Sequence, residues 1–248
     1  MARRRRKLLM NNFTRCANGV IGDAAAFNRL RTADTASVLL LSDTHGALDA
    51  VRWIFSTFGR ICDACLFAGD GAVDIFSAVR EAAAGVLTVP PVIVMVQGNC
   101  DSEKYPAVLS PNGAGESLFG LPSYQRKVMA RRCICLAHGH LERGELEGHR
   151  LSLIAKKHRC SIAIRGHTHV QAIKQFDSVT VINPGSPVRP RGTSYGGFAV
   201  LSLDNTHDRM QKDGTVRFYR LIREGYGTFS AAMHSVYSIP LTGGDTEA

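Results

Sequence analysis

Five short segments carry side chains that could share one task. They are Ser42-Asp43-Thr44-His45-Gly46, Gly69-Asp70-Gly71, Gly98-Asn99-Cys100-Asp101, His138-Gly139-His140 and Gly166-His167-Thr168-His169. Imidazole, carboxylate and amide oxygen are donors suited to Mn²⁺, Fe or Zn²⁺, and such a site needs no thiolate. A lone Asp-x-His on a loop is ordinarily a solvated turn, but an ordered series of five such segments points to one site. Two cations about 3.5 to 4 Å apart need a shared ligand, and the Asp70 carboxylate can give one oxygen to each. Glycines flank the ligands where the chain must turn tightly or approach them closely.

The elements that must position these residues follow from the apolar pattern. Val38 to Leu41 is a short continuous apolar run, the mark of a strand buried on both faces. Beyond it, Leu48, Val51, Ile54, Phe55 and Phe58 recur at helical spacing before Gly59. The alternation repeats with a strand at 64–68, a helix at 73–84 and a strand at 92–96. This βαβαβ order predicts a parallel start to the sheet. Val128 to Ala137 reads as strand material interrupted at Arg131-Arg132, 149–157 as a helix and 162–164 as a strand. The runs 180–182, 198–203 and 216–221 suit a second sheet. The first three segments of the series each follow one of these parallel strands, and ligand sites in open α/β sheets lie outside the carboxyl ends of strands.

The formal charge of +9 invites a nucleic-acid reading until its location is considered. Residues 1–32 hold eight of the 30 basic residues and one of the 21 acids, so the other 216 residues carry 22 bases against 20 acids. A run from Arg3 to Lys7 followed only by Leu8, Leu9 and Met10 lacks the apolar core of a secretory signal, about 7 to 15 residues. Its composition suits a transit peptide, but the amphipathic pattern is weak. We therefore expect a disordered basic extension over 1–35, or an upstream start codon with Met1 not the true start. The body should span 36–222, followed by a polar tail over 223–248, with 102–122 a surface excursion. Nucleic acid could bind only through the basic extension.

No apolar stretch approaches the ~20 residues of a membrane-spanning helix. Seven cysteines, an odd number in a chain too large to need disulfide staples, fit a reducing compartment, and we expect the cytoplasm. Cys62 and Cys65 form a lone CxxC without the second pair of a zinc ribbon. Like Cys133 and Cys135, they read as packing residues.

The series DxH, GD, GNxD, HGH and GHxH resembles that of the calcineurin-like metallophosphoesterases. The cysteine in Gly98-Asn99-Cys100-Asp101 makes it similar to the small YfcE-like phosphodiesterase group, as does Asn183-Pro184-Gly185-Ser186. The resemblance covers about 36–222. It implies an α/β fold, a four-layer αββα sandwich of two mixed sheets flanked by helices. It also implies two divalent metal ions: Asp43, His45, Asp70 and His169 would hold the first, and Asp70, Asn99, His138 and His167 the second. Mn²⁺ is expected, with Fe, Zn²⁺ and Ni²⁺ as alternatives. A water bridging the pair could have its pKa lowered from 15.7 to about 7, and the hydroxide would attack the phosphorus of a small phosphate ester.

Asn99, Cys100 and His140 complete the expected catalytic set, with His140 read either as facing the substrate or as a residue that supports the ligands or is purely structural. Most of the wider superfamily has histidine where this chain has Cys100. A thiol is a poorer acid for the leaving oxygen than imidazolium, which favours esters with good leaving groups and so a phosphodiesterase over a phosphomonoesterase. The competing class is a non-catalytic scaffold, because a eukaryotic retromer subunit has this fold without the metal-site histidines. A homo-oligomer is compatible with the sequence.

Overall fold

The strand-helix alternation after Asp34 yields a sheet whose centre is parallel. In the computed structural model, residues 13–106, 118–141, 148–206 and 213–241 are described. In chain order the first elements are β1 (Arg15–Ala17), β2 (Val20–Gly22), α1 (Ala24–Thr32), β3 (Thr35–Leu41), α2 (Leu48–Phe58), β4 (Ala64–Phe67), α3 (Ala72–Ala83) and β5 (Val92–Met95). There follow β6 (Lys104–Pro106), β7 (Leu118–Gly120), β8 (Tyr124–Met129), β9 (Arg132–Ala137), α4 (His149–Lys157) and β10 (Ile162–Ile164). The last are β11 (Gln171–Phe176), β12 (Val179–Pro184), β13 (Gly197–Asp204), β14 (Asp213–Gly225) and β15 (Thr228–Pro240).

Eight strands form one mixed sheet in the order β1-β2-β5-β4-β3-β13-β14-β15, and five form a second in the order β11-β12-β10-β9-β8. Strands β3, β4 and β5 are parallel, as are β9, β10 and β12. Successive side chains of a strand face opposite sides, and the cores divide accordingly. Leu39, Leu41, Phe67 and Met95 meet α2 and α3 through Ile54, Phe55, Ile75 and Val79. Val38, Leu40, Leu66 and Val94 meet the second sheet through Ile134, Leu136, Ile164 and Ile182. Behind that sheet, Cys135, Ala163 and Val181 meet Leu151 and Ala155 of α4. The result is the expected αββα sandwich.

The flanks differ from expectation. Within the segment expected as an extension, β2 pairs antiparallel with β5, and Ile21 is fully buried. The Asp23 carboxylate caps α1 by accepting from Ala25 N at 2.8 Å, and Leu30 closes one end of the inter-sheet core. Four apolar side chains suffice to dock so short a segment, and a tally of charge hides them. The basic run Arg3–Lys7 lies outside the described residues.

The expected polar tail is likewise folded in part. Strand β14 runs on to Gly225, and β15 pairs along it with Phe229 and Ile239 buried. An edge strand exposed on both faces reads as a tail because it lacks a continuous apolar side. At the ends of the expected excursion, β6 and β7 pair, and Phe119 packs edge-on to Phe76. Cys62, Cys65 and Cys135 are buried free thiols, but Cys133 is joined to Cys160 in a disulfide and is no mere packing residue.

Candidate metal centre

Both sheets turn the carboxyl ends of their parallel strands to the same rim. Strand β3 delivers Asp43 and His45, β4 delivers Asp70, β5 delivers Asn99 and Cys100, β9 delivers His138 and His140, and β10 delivers His167 and His169. At this rim the backbone is bent hard. Asp43 (φ 55°), His45 (45°), Asp70 (61°), His167 (72°) and His169 (61°) all lie in the left-handed region. That conformation costs an L-residue roughly 1 to 2 kcal/mol, and it persists only where surrounding bonds over-determine it.

Those bonds come from side chains that are not themselves ligands. The Asp101 carboxylate accepts four backbone N–H groups: Asp70 at 2.7 Å, Gly98 at 3.0 Å, and Gly71 and Ala72 at 2.9 Å. It therefore pins the Asp70 turn and caps the start of α3 together. Asp74 accepts from Thr44 Oγ1 at 2.6 Å and from Gly46 N at 2.9 Å, fixing the His45 turn. Ser186 donates to the Asp43 carbonyl at 2.6 Å. Asn183 donates to Gly166 O and Thr168 Oγ1 at 2.9 Å, holding the His167–His169 loop. Gly98 is required by close approach, since a Cβ there would overlap Asp70 Oδ1.

The candidate ligand atoms converge on one small volume. Asp43 is fully buried, and its Oδ1 lies 3.3 Å from His169 Nε2 and 4.0 Å from both His45 Nε2 and His138 Nε2. Its Oδ2 accepts from His167 N at 3.0 Å. Asp70 Oδ2 lies 3.4 Å from His138 Nε2 and 3.7 Å from His45 Nε2, while Oδ1 accepts from Cys100 N at 2.7 Å. Asp70 thus stands between the two groups of imidazoles. Asn99 Oδ1 is 3.1 Å from His138 Nε2.

The donor set fits a cation. His138 Nδ1 meets the Ala68 carbonyl at 2.7 Å and His169 Nδ1 meets the Arg189 carbonyl at 2.6 Å. Since a carbonyl only accepts, each Nδ1 carries its proton and each Nε2 presents a lone pair when the ring is neutral, the ligating tautomer. His45 Nε2 and His169 Nε2 face each other at 3.1 Å. Asp43 Oδ1 is buried without a hydrogen-bond partner among the described residues. A buried carboxylate oxygen so placed costs several kcal/mol unless a positive charge meets it.

Electrostatics agree. Burial raises the Asp43 carboxyl above the usual range against the opposing pull of His138. Burial also pushes Asp70 up, but hydrogen bonds from His138 and the Cys100 N–H outweigh it and hold Asp70 well below that range. Burial opposes charge on His138, yet Asp70 and Asp43 raise it overall. Burial lowers His45, His140 and His167. Cys100 is exposed at the mouth, and burial of its sulfur together with Asp70 pushes the thiol up.

Among the described residues, three triples of candidate ligands lie within 4.8 Å: Asp43 with His45 and His169, Asp43 with Asp70 and His138, and His45 with Asp70 and Cys100. His167 joins none of these triples among the described residues; its ring lies edge-on to His138, centroids 5.1 Å apart. The His140 ring is 5.4 Å from that of His138 and 6.3 Å from that of His167, and its Nδ1 is buried without a hydrogen-bond partner among the described residues. The holding roles of Asp101 and Asp74 were not read from the sequence. The signal was the single acid of the Gly98-Asn99-Cys100-Asp101 segment and an acid one helical turn past Asp70.

Comparison with known proteins bears on this arrangement. A family model described as the calcineurin-like phosphoesterase superfamily domain matches residues 37–206. The Escherichia coli K12 protein named phosphodiesterase YfcE is 23% identical over 178 residues, covering 67% of this chain and 88% of the relative. A structure of a predicted phosphoesterase from Streptococcus pneumoniae TIGR4 superposes with a TM-score of 0.56 at 22% identity, covering 81% of this chain and 98% of the other. Vacuolar protein sorting 29 of Cryptosporidium parvum does so with a TM-score of 0.57 at 18% identity, covering 83% and 99%.

Proposed function

The chain belongs to the calcineurin-like phosphoesterase superfamily, and from that premise we propose that it is a phosphodiesterase working with two divalent cations. The observation that carries this reading is the buried Asp43 Oδ1, without a hydrogen-bond partner among the described residues and ringed by the Nε2 atoms of His45, His138 and His169. When bound, the cations supply Lewis acidity and lower the pKa of a water toward about 7, which provides a nucleophile for phosphorus. Mn²⁺ is the first choice, with Fe, Zn²⁺ and Ni²⁺ as alternatives that the same donors accept.

On this reading Asp43, His45 and His169 hold one cation, Asn99, His138 and His167 hold the other, and Asp70 is shared. The Ala68 and Arg189 carbonyls keep His138 and His169 in the ligating tautomer. The Cys100 thiol, pushed up by its surroundings, stays protonated but is a feeble acid toward an alkoxide. A diester with an aryl or nucleotide-like leaving group needs little such help, and the name of the E. coli relative supports this class. The partner is then a small phosphate ester. Buried free thiols favour the cytoplasm, although Cys133 and Cys160 are joined.

The test is hydrolysis with Mn²⁺ supplied, comparing bis(4-nitrophenyl) phosphate with 4-nitrophenyl phosphate, alongside metal content. The diester should turn over faster, with about two ions per chain. A faster monoester would make the protein a phosphomonoesterase. The second reading, a non-catalytic scaffold, draws on the Cryptosporidium neighbour, whose name denotes sorting rather than hydrolysis. Two bound ions without hydrolysis of either ester would favour it.

A further inference from the structure

Beside the ligand cluster, on the α4 side of the second sheet, lies a cavity of about 200 Å³. Its walls are Tyr124, His140, Leu141, Arg150, Leu151 and Ile154, with the backbone turn His138-Gly139 at its edge. The lining is mostly apolar, and Arg150 is engaged with the Leu141 carbonyl at 3.2 Å. An apolar cavity of about 150 Å³ accepts a benzene ring, so this one has room for a single substituted ring.

The position of the cavity relative to the ligands gives it a task. Cys100 Sγ groups with His45 and Asp70, and the His140 ring lies against those of His138 and His167. A phosphate held at the ligand cluster with its leaving oxygen toward Cys100 can place its other ester group toward His140. His140 lines the cavity, and its buried Nδ1 has no hydrogen-bond partner among the described residues. We propose that this cavity is a specificity subsite for the retained ester group of a phosphodiester, and that the group it takes is an uncharged aryl ring packed beside His140. The inference rests on the phosphodiesterase reading and adds to it which alcohol stays on the phosphate.

Two diesters with the same leaving group separate the effects: bis(4-nitrophenyl) phosphate, which retains an aryl group, and methyl 4-nitrophenyl phosphate, which retains a methyl. Burying a ring-sized apolar group should favour the aryl diester in kcat/KM by at least about tenfold. Ile154→Trp, or Leu141→Trp should the first variant fail to fold, fills the cavity and should bring that ratio close to one. A ratio unchanged by both variants overturns the subsite. Adding phenyl phosphate to Zn²⁺-loaded native protein should shift the methyl resonances of Leu151 and Ile154 through the ring current, whether or not either diester is hydrolysed. Shifts confined to other residues also overturn it. Absence of hydrolysis with those methyl shifts present would count against the phosphodiesterase reading and not against the cavity.

Discussion

The rim that gathers the candidate ligands and the β14–β15 hairpin at the edge of the eight-stranded sheet are held by opposite means. In the hairpin, regular backbone pairing runs from Asp213↔Pro240 to Gly225↔Thr228, broken by irregularities after Phe218 and Arg223. Met233, Val236 and Tyr237 stand exposed along it. At the rim, backbone geometry is irregular, five non-glycine residues take left-handed φ, and side-chain carboxylates, amides and hydroxyls accept or donate where a ladder would. The hairpin can change residues and keep its form, because its bonds belong to the backbone. The rim cannot, because its form belongs to particular side chains. The comparison predicts that substitution effects should fall steeply from rim to hairpin.

The largest effect belongs to Asp70, the carboxylate between both groups of imidazoles. In Asp70→Ala, metal content should fall from about two ions per chain to one or fewer, and diesterase kcat/KM should drop on the order of 10³-fold, because the lost charge stabilisation is several kcal/mol. Elemental analysis and initial rates measure both. Two ions retained in this variant would mean that the rim does not depend on its shared ligand.

Asp101 comes next, and it separates ligands from their holders. Hydrogen bonds to a charged group are worth roughly 1.5 to 3 kcal/mol each, but four on one carboxylate do not add independently. Asp101→Ala should cost about 3 kcal/mol in urea unfolding, and about 10- to 100-fold in metal affinity, the usual effect of losing an outer-shell partner. Asp101→Asn keeps an acceptor oxygen and should recover part of both. Lost stability with unchanged affinity would show that Asp101 serves α3 alone.

A smaller effect is expected at the mouth. Cys100→His introduces a group able to donate a proton, and general acid help is worth about 10² to 10⁴ in rate where it is needed. The monoesterase to diesterase ratio should therefore rise by about tenfold or more, with metal content measured on the same sample because Asn99 is adjacent. An unchanged ratio with both metals present would show that the thiol is not what limits monoester hydrolysis.

The sandwich was legible between Thr35 and Met95 because there the apolar period switches between strand and helix, and the convergence of the candidate ligands was legible because their types recur at strand ends. Other features were hidden for physical reasons. A carboxylate accepting four backbone N–H groups, as Asp101 does, looks in sequence like a solvated loop acid. The docking of β2 rests on Val20 and Ile21 inside a segment whose charge dominates its composition. Strand β15 buries Phe229 and Ile239 near its two ends and leaves its middle exposed, so no alternation marks it. The Cys133–Cys160 pairing joins residues 27 apart whose spacing carries no motif.

The smallest effect should lie on the hairpin, at Arg223. Its guanidinium donates to Asp49 Oδ2 of α2 at 2.9 Å and lies over the Phe229 ring, 4.8 Å from the centroid. Both Arg223 and Asp49 are substantially open to solvent, so the ion pair is worth only about 0.2 to 1 kcal/mol. The stacked cation adds roughly 0.5 to 1 kcal/mol at an exposed site. Arg223→Ala should therefore lower the unfolding free energy by about 1 kcal/mol and leave metal content unchanged. Salt divides the two contributions: the ion pair is screened within a Debye length of about 3 Å at 1 M salt, whereas the stem packed on Phe229 is not. If the difference between native and variant shrinks by half or more in 1 M NaCl, the ion pair dominates. A difference that persists assigns it to packing. A loss of several kcal/mol, or any loss of metal, would mean that the hairpin braces α2 and through it the His45 turn, and the contrast between rim and edge would fail.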